Sequence, residues 1–179
     1  KALEATTRDI PDYDVLMMQR LNILKEHCLG LNDIQEVIAD MGPFPGAKEF
    51  VKWVSTHFQL IILSDTFYEF AHPLMKQLDW PTIFCHKLET DDAGMISAYK
   101  LRQPDQKRQA VKALHGLNFR VIAAGDSYND TTMLGEADHG FLFDAPENVI
   151  AEFPQFPPIH GYEALKEAIR NASVRDIPA

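Results

Sequence analysis

An apolar run, Phe119-Arg120-Val121-Ile122-Ala123-Ala124, leads straight into Gly125-Asp126-Ser127-Tyr128-Asn129-Asp130. That order reads as a short buried strand, then a loop, then a helix starting near Tyr128. Asp126 and Asp130 therefore meet where a strand ends, and in an open α/β sheet the ligand crevice lies outside such ends. Two carboxylates and an amide on one small loop can hold Mg²⁺, a hard cation that takes oxygen ligands and keeps several waters. Taken alone, the pair fits equally well a helix cap at Asp126 and a first-turn acid at Asp130.

The remaining chain alternates helix and strand. Residues 12 to 29 carry apolar positions at Val15, Leu16, Met18, Leu21, Ile23 and Leu24, an amphipathic helical pattern. Asn32 or Asp33 opens a second short helix through Ile34, Val37 and Ile38. Gly42-Pro43-Phe44-Pro45-Gly46 then breaks the pattern and marks a boundary. Beyond it come a helix over 47 to 57, with Phe50, Trp53 and Val54 inward, and a buried strand over 58 to 63. A helix over 67 to 78 follows, with Pro73 in an early turn or at a kink. Thr82 to Leu88 is the next strand, and Asp91-Asp92-Ala93-Gly94 makes 86 to 101 a β-hairpin. Helix 105–117, strand 119–124, strand 140–143 and helix 162–171 complete the order. Alternation of this kind predicts an α/β fold, a Rossmann-like parallel sheet flanked by helices on both faces.

Composition narrows the functional classes. A formal net charge of -9 opposes broad nucleic-acid binding, which needs a positive face. Apolar runs such as Leu60-Ile61-Ile62-Leu63 are far too short to span a bilayer, and no signal-peptide pattern opens the chain. Cys28 and Cys85 make no disulfide framework and suit a reducing, cytoplasmic setting. The adjacent pairs His27-Cys28 and Cys85-His86 lack zinc-chelating spacing and read as packing residues.

Three further polar positions bear on chemistry. Ser64, in Leu63-Ser64-Asp65-Thr66, sits at the expected end of its strand, where a hydroxyl and free N–H groups could bind a phosphate oxygen or cap a helix. Lys107 falls in a first helical turn, against the dipole preference, and a bound anion would account for it. Arg108, one residue on, points elsewhere. Arg20, among Met17, Met18 and Leu21, could reach a substrate carboxylate through a bidentate bond.

Ser64 after an apolar strand, a helix lysine at Lys107, and Gly125-Asp126-Ser127-Tyr128-Asn129-Asp130 together resemble motifs two, three and four of the haloacid dehalogenase superfamily. A helical unit ahead of motif two resembles the cap of its phosphoserine phosphatase branch. Residues 5–14, 62–70, 123–133 and 145–150 resemble the members of that branch that also pass the phosphoryl group to homoserine. The resemblance implies a cap over residues 1–42 and a core over 43–179. It implies Mg²⁺-dependent hydrolysis of phosphoserine or another small phosphate monoester through an aspartyl-phosphate, with water or homoserine as acceptor. Ser64, Asp65, Thr66, Lys107 and Asn129 would bind the phosphate, and Arg20 the substrate carboxylate. Asp126 would ligate the metal directly, with Asp130 orienting its waters. A homodimer is compatible with this reading.

The same resemblance implies a first motif, carrying the nucleophilic aspartate on the central strand between the strands of motifs two and four. Asp9, Asp12 and Asp14 fall in the cap, and Asp65 in motif two. The expectation is therefore a core incomplete at its N-terminus and inactive as 179 residues alone. The alternative is a fragment that only binds phosphate or phosphoserine.

Overall fold

A computed structural model describes residues 13–174 of the chain; the expectations at residues 5–12, including Asp9 and Asp12, lie outside them. The chain divides into two compact units, with the boundary passing through one strand between Ser64 and Asp65.

The first unit takes the described residues through Pro43 together with Asp65–Trp80 and Cys85–Arg102. Its helices are α1 (Tyr13–Glu26), α2 (Leu31–Met41) and α4 (Tyr68–Gln77). Pro73 lies inside α4, so it donates no N–H to the carbonyl of Glu69 one turn back. Gln35 on α2 fills that vacancy, its Nε2 donating to the Glu69 carbonyl at 2.7 Å. Gln77 returns the link, donating to the Ala39 carbonyl at 3.0 Å. Strands β2 (Thr82–Thr90) and β3 (Ile96–Lys100) form the expected antiparallel hairpin, with Leu88 opposite Tyr99. The Asp91 carboxylate closes its turn by accepting from the N–H groups of Ala93 and Met95. Met17, Phe67 and Leu88 form the buried centre of this unit.

The second unit holds Phe44–Ser64, Pro81–Phe84 and the chain from Gln103 onward. Helix α3 (Ala47–His57) has the bounds read from the sequence. Strand β1 (Ile61–Phe67) does not stop at Leu63: Ser64, Asp65 and Thr66 continue it, so Ser64 sits within the strand rather than at its end. Hydrophobicity marks only the apolar half of a strand, and polar residues can extend the same backbone. Then come α5 (Gln106–Gly116), β4 (Ile122–Gly125), α6 (Thr131–Glu136), β5 (His139–Phe143), α7 (Glu147–Glu152), β6 (Pro158–Ile159) and α8 (Tyr162–Ala172).

Strands β4, β5 and β6 run parallel, with Ile122 beside His139 and Gly125 beside Leu142. Their side chains alternate between two cores. Ala123 and Leu142 join Val111, Met133, Leu134 and Val149 on one face. Phe141, with Ile122 and Phe143, joins Phe50, Leu165 and Ala172 on the other. Fully burying a side chain such as Leu142 contributes roughly 1.5–3 kcal/mol, which favours this register of the sheet. Strands β1, β2 and β3 form a separate three-stranded sheet. Strands β1 and β4, expected to flank a central strand, stand in different sheets, and no described strand joins them. No helix among the described residues is long and apolar enough to cross a membrane.

Candidate active site

The loop after β4 is organised by Asp130. One of its carboxylate oxygens, Oδ2, accepts from the backbone N–H of Asp126 (3.0 Å), the N–H of Ser127 (3.1 Å) and the Ser127 hydroxyl (3.0 Å). The other, Oδ1, accepts from Lys107 Nζ at 2.8 Å. Three donors crowd Oδ2 and one reaches Oδ1, so Oδ2 is saturated while Oδ1 keeps acceptor capacity. Asp130 is buried, and so is Lys107. The first-turn lysine that ran against the helix dipole thus has an internal carboxylate beside it, and the pair is shielded from solvent screening.

Gly125 allows the arrangement. The side chain of Asp130 folds back over it so closely that a Cβ at 125 would lie 2.5 Å from Asp130 Cβ and 2.7 Å from Oδ2. A single 3₁₀ turn, Tyr128–Asp130, then leads into α6. The helix expected from Tyr128 therefore begins at Thr131, because the turn is tightened to bring the carboxylate back.

Two residues of the loop are exposed, Asp126 and Asn129. Asn129 Oδ1 competes with Asp130 Oδ2 for the single proton of the Ser127 hydroxyl. The Asp126 carboxylate has no hydrogen bond or ion pair among the described residues, an open hard-oxygen donor at a strand end. Among those residues no group of three or more His, Cys, Asp or Glu could enclose a metal. One open carboxylate with waters suits Mg²⁺, which is usually held through one or two carboxylates.

Ser64 is brought to α5 by a residue the sequence reading passed over. Gln106, buried, donates from Nε2 to the Ser64 carbonyl at 2.6 Å. It precedes Lys107 and so ties the start of that helix to β1; nothing in the sequence around Gln106 signals the contact. The same turn is tied to α6, where the Thr132 hydroxyl donates to Asp105 Oδ1 at 2.8 Å. Arg108 does point elsewhere, donating from Nε to Glu136 at 2.7 Å. Ser64, Lys107, Asp126, Asn129 and Asp130 therefore share the second unit, while Asp65, Thr66 and Arg20 belong to the first.

In that first unit His86 is more than packing. Its Nδ1 accepts the N–H of Arg102 at 3.0 Å, which leaves the proton on Nε2, 3.9 Å from Asp65 Oδ1. Cys85 is buried, and that burial pushes its thiol up to about 11, which removes it as a nucleophile.

Residues 9–138 match the family of haloacid dehalogenase-like hydrolases. The chain is 65% identical over 176 residues to phosphoserine phosphatase ThrH of Pseudomonas aeruginosa, covering 98% of this chain and 86% of that protein. It is 60% identical over 177 residues to a phosphoserine phosphatase of Pseudomonas syringae pv. tomato, covering 99% and 75%. Among solved structures, a phosphoserine phosphatase in apo form superposes with a TM-score of 0.70 at 18% identity, over 92% of this chain and 83% of that one. At that identity the likeness speaks for the fold.

Proposed function

The chain belongs to the haloacid dehalogenase-like hydrolase family, and from that premise we propose that it serves Mg²⁺-dependent phosphoryl transfer from phosphoserine, with water or homoserine as acceptor. The observation that carries this reading is the buried Lys107–Asp130 pair together with the exposed Asp126 carboxylate. The pair ties α5 to the loop after β4, which supports one site for an anion and a cation. The curated relatives named as phosphoserine phosphatases support the substrate class.

Each residue has a role in that scheme. Lys107, whose ammonium also holds Asp130, binds the phosphate in this scheme. The Ser64 hydroxyl and the backbone of Asp65 and Thr66 take phosphoryl oxygens. Asn129 contributes its amide. Arg20 pairs with the substrate carboxylate through a planar fork, and residues 1–42 serve as the cap that carries it. Asp126 holds the Mg²⁺, and Asp130, which also keeps the loop in shape, orients the waters of the ion. The ion, when bound, offsets charge developing on the transferring phosphoryl group. The carboxylate that would accept that group is assigned to none of Asp9, Asp12, Asp14 or Asp65.

Phosphate release from phosphoserine, with Mg²⁺ and with EDTA, tests the reading directly. In a protein that supplies the accepting aspartate, the expected result is turnover that EDTA and Asp126→Asn each abolish. Turnover indifferent to both would overturn the metal assignment. Binding of phosphoserine without turnover would favour the alternative of a phosphoserine-binding protein.

A further inference from the structure

Tyr128 occupies the middle of the loop that presents Asp126 and Asn129, yet its side chain turns to α7. Its hydroxyl donates to Glu152 Oε2 at 2.8 Å and accepts from Asn148 Nδ2 at 3.3 Å. Its ring meets Phe153 edge-on, centroids 5.8 Å apart, and packs on the core around Leu142 and Val149. The loop is thus held twice, by Asp130 on the Lys107 side and by Tyr128 on the α7 side. Both restraints act on the loop that carries the Asp126 carboxylate. Outer contacts of this kind hold a metal ligand in its binding orientation.

We infer that Tyr128, braced by Glu152 and Asn148, is a positioning residue that fixes the Asp126–Asn129 face of the loop for a divalent cation. The inference rests on the metal reading of the proposed function. Tyr128→Phe isolates the polar contact, because the ring and its packing on Phe153 remain. Glu152→Ala removes the same contact from the other end. Glu152→Gln keeps an oxygen that can accept from the hydroxyl. Neither Glu152 nor Asn148 belongs to the proposed catalytic machinery.

Two measurements on the full chain decide the matter. The first is amide exchange at Asp126 and Ser127, whose N–H groups are held by Asp130 and report opening of the loop without any ion. The second is Mn²⁺ binding, followed through the spectrum of the free ion. Tyr128→Phe and Glu152→Ala are expected to speed exchange and to weaken Mn²⁺ about tenfold, with Glu152→Gln close to the parent. Parent-like exchange and Mn²⁺ affinity in Tyr128→Phe would overturn this inference alone. Equal loss in Glu152→Gln and Glu152→Ala would also overturn it, since the contact would then act by charge and not by the hydrogen bond. A parent chain that takes no Mn²⁺ would overturn this inference and the metal reading together.

Discussion

Replacing Asp130 by Asn should be among the most damaging single changes in the chain, and the reason is electrostatic. Lys107 is 7% exposed and Asp130 5% exposed, so neither charge is well hydrated. Asn would leave the Lys107 ammonium buried without a counter-charge. Breaking a buried pair from one side costs about 3–5 kcal/mol, because the surviving charge is uncompensated. The amide would also turn an NH₂ group toward donors now satisfied by Oδ2 or Oδ1. Against a domain stability of about 5–15 kcal/mol, the loss leaves the fold marginal.

Lys107→Met should be the milder change. Asp130 would keep the three donors on Oδ2 and lose only the contact at Oδ1. The double variant carries no buried charge at either position and should cost less than the sum of the two, by about 1–3 kcal/mol. Urea unfolding of the parent, both single variants and the double variant, followed by circular dichroism, gives the cycle. Asp130→Asn within about 1 kcal/mol of the parent, well under the cost of a broken buried pair, would refute the reasoning. So would strict additivity in the double variant.

Three other changes probe separate parts of the structure. Gly125→Ala places a Cβ where Asp130 Cβ and Oδ2 already lie, so it should cost about 1–3 kcal/mol and reduce phosphoserine turnover; parent-like unfolding and rate would count against the close approach. Gln35→Ala should cost about 1 kcal/mol by exposing the Glu69 carbonyl, and much less in a Pro73→Ala background, where the restored N–H takes over; equal losses in both backgrounds in urea titrations would contradict this. The Val121 N–H, with help from His115, holds the Asp138 carboxyl below its ordinary value near 3.8. A carboxyl depressed in the fold contributes stability above its unfolded pKa, and that contribution disappears as pH falls through the folded pKa. The stability gap between parent and Asp138→Asn should therefore be full near neutrality and close below about pH 4; a gap that widens on acidification would reverse the assignment.

Much of the architecture was written in hydrophobic period. Helix α3 and the β2–β3 hairpin carry strong local signals: an apolar face in one, an Asp-Asp-Ala-Gly turn in the other. Helix α7 and strand β6 did not show, for they span 6 and 2 residues, less than two turns or one full alternation. They exist through tertiary packing: Val149 is fully buried and β6 pairs with β5. Ser64, Lys107, Asp126 and Asp130 were legible as chemistry-bearing types at suggestive places, and the misfit of Lys107 in its turn was the sharpest clue. What could not be read was who holds whom. That Asp130 would fold back over Gly125 depends on backbone angles of a 3₁₀ turn, and that Gln106 would reach Ser64 depends on a contact 42 positions away in the chain.

The folded-back carboxylate of Asp130 also divides the loop between two kinds of selection. A library randomised over Gly125–Asp130 and screened only for soluble, folded protein should return Gly125 and Asp130 nearly unchanged, because both are consumed in the loop's own closure. The same screen should let Asp126 drift freely, since its carboxylate lies exposed. A screen for phosphoserine turnover should recover it. The loop can thus be retuned by evolution at its open positions without reopening the question of whether it folds.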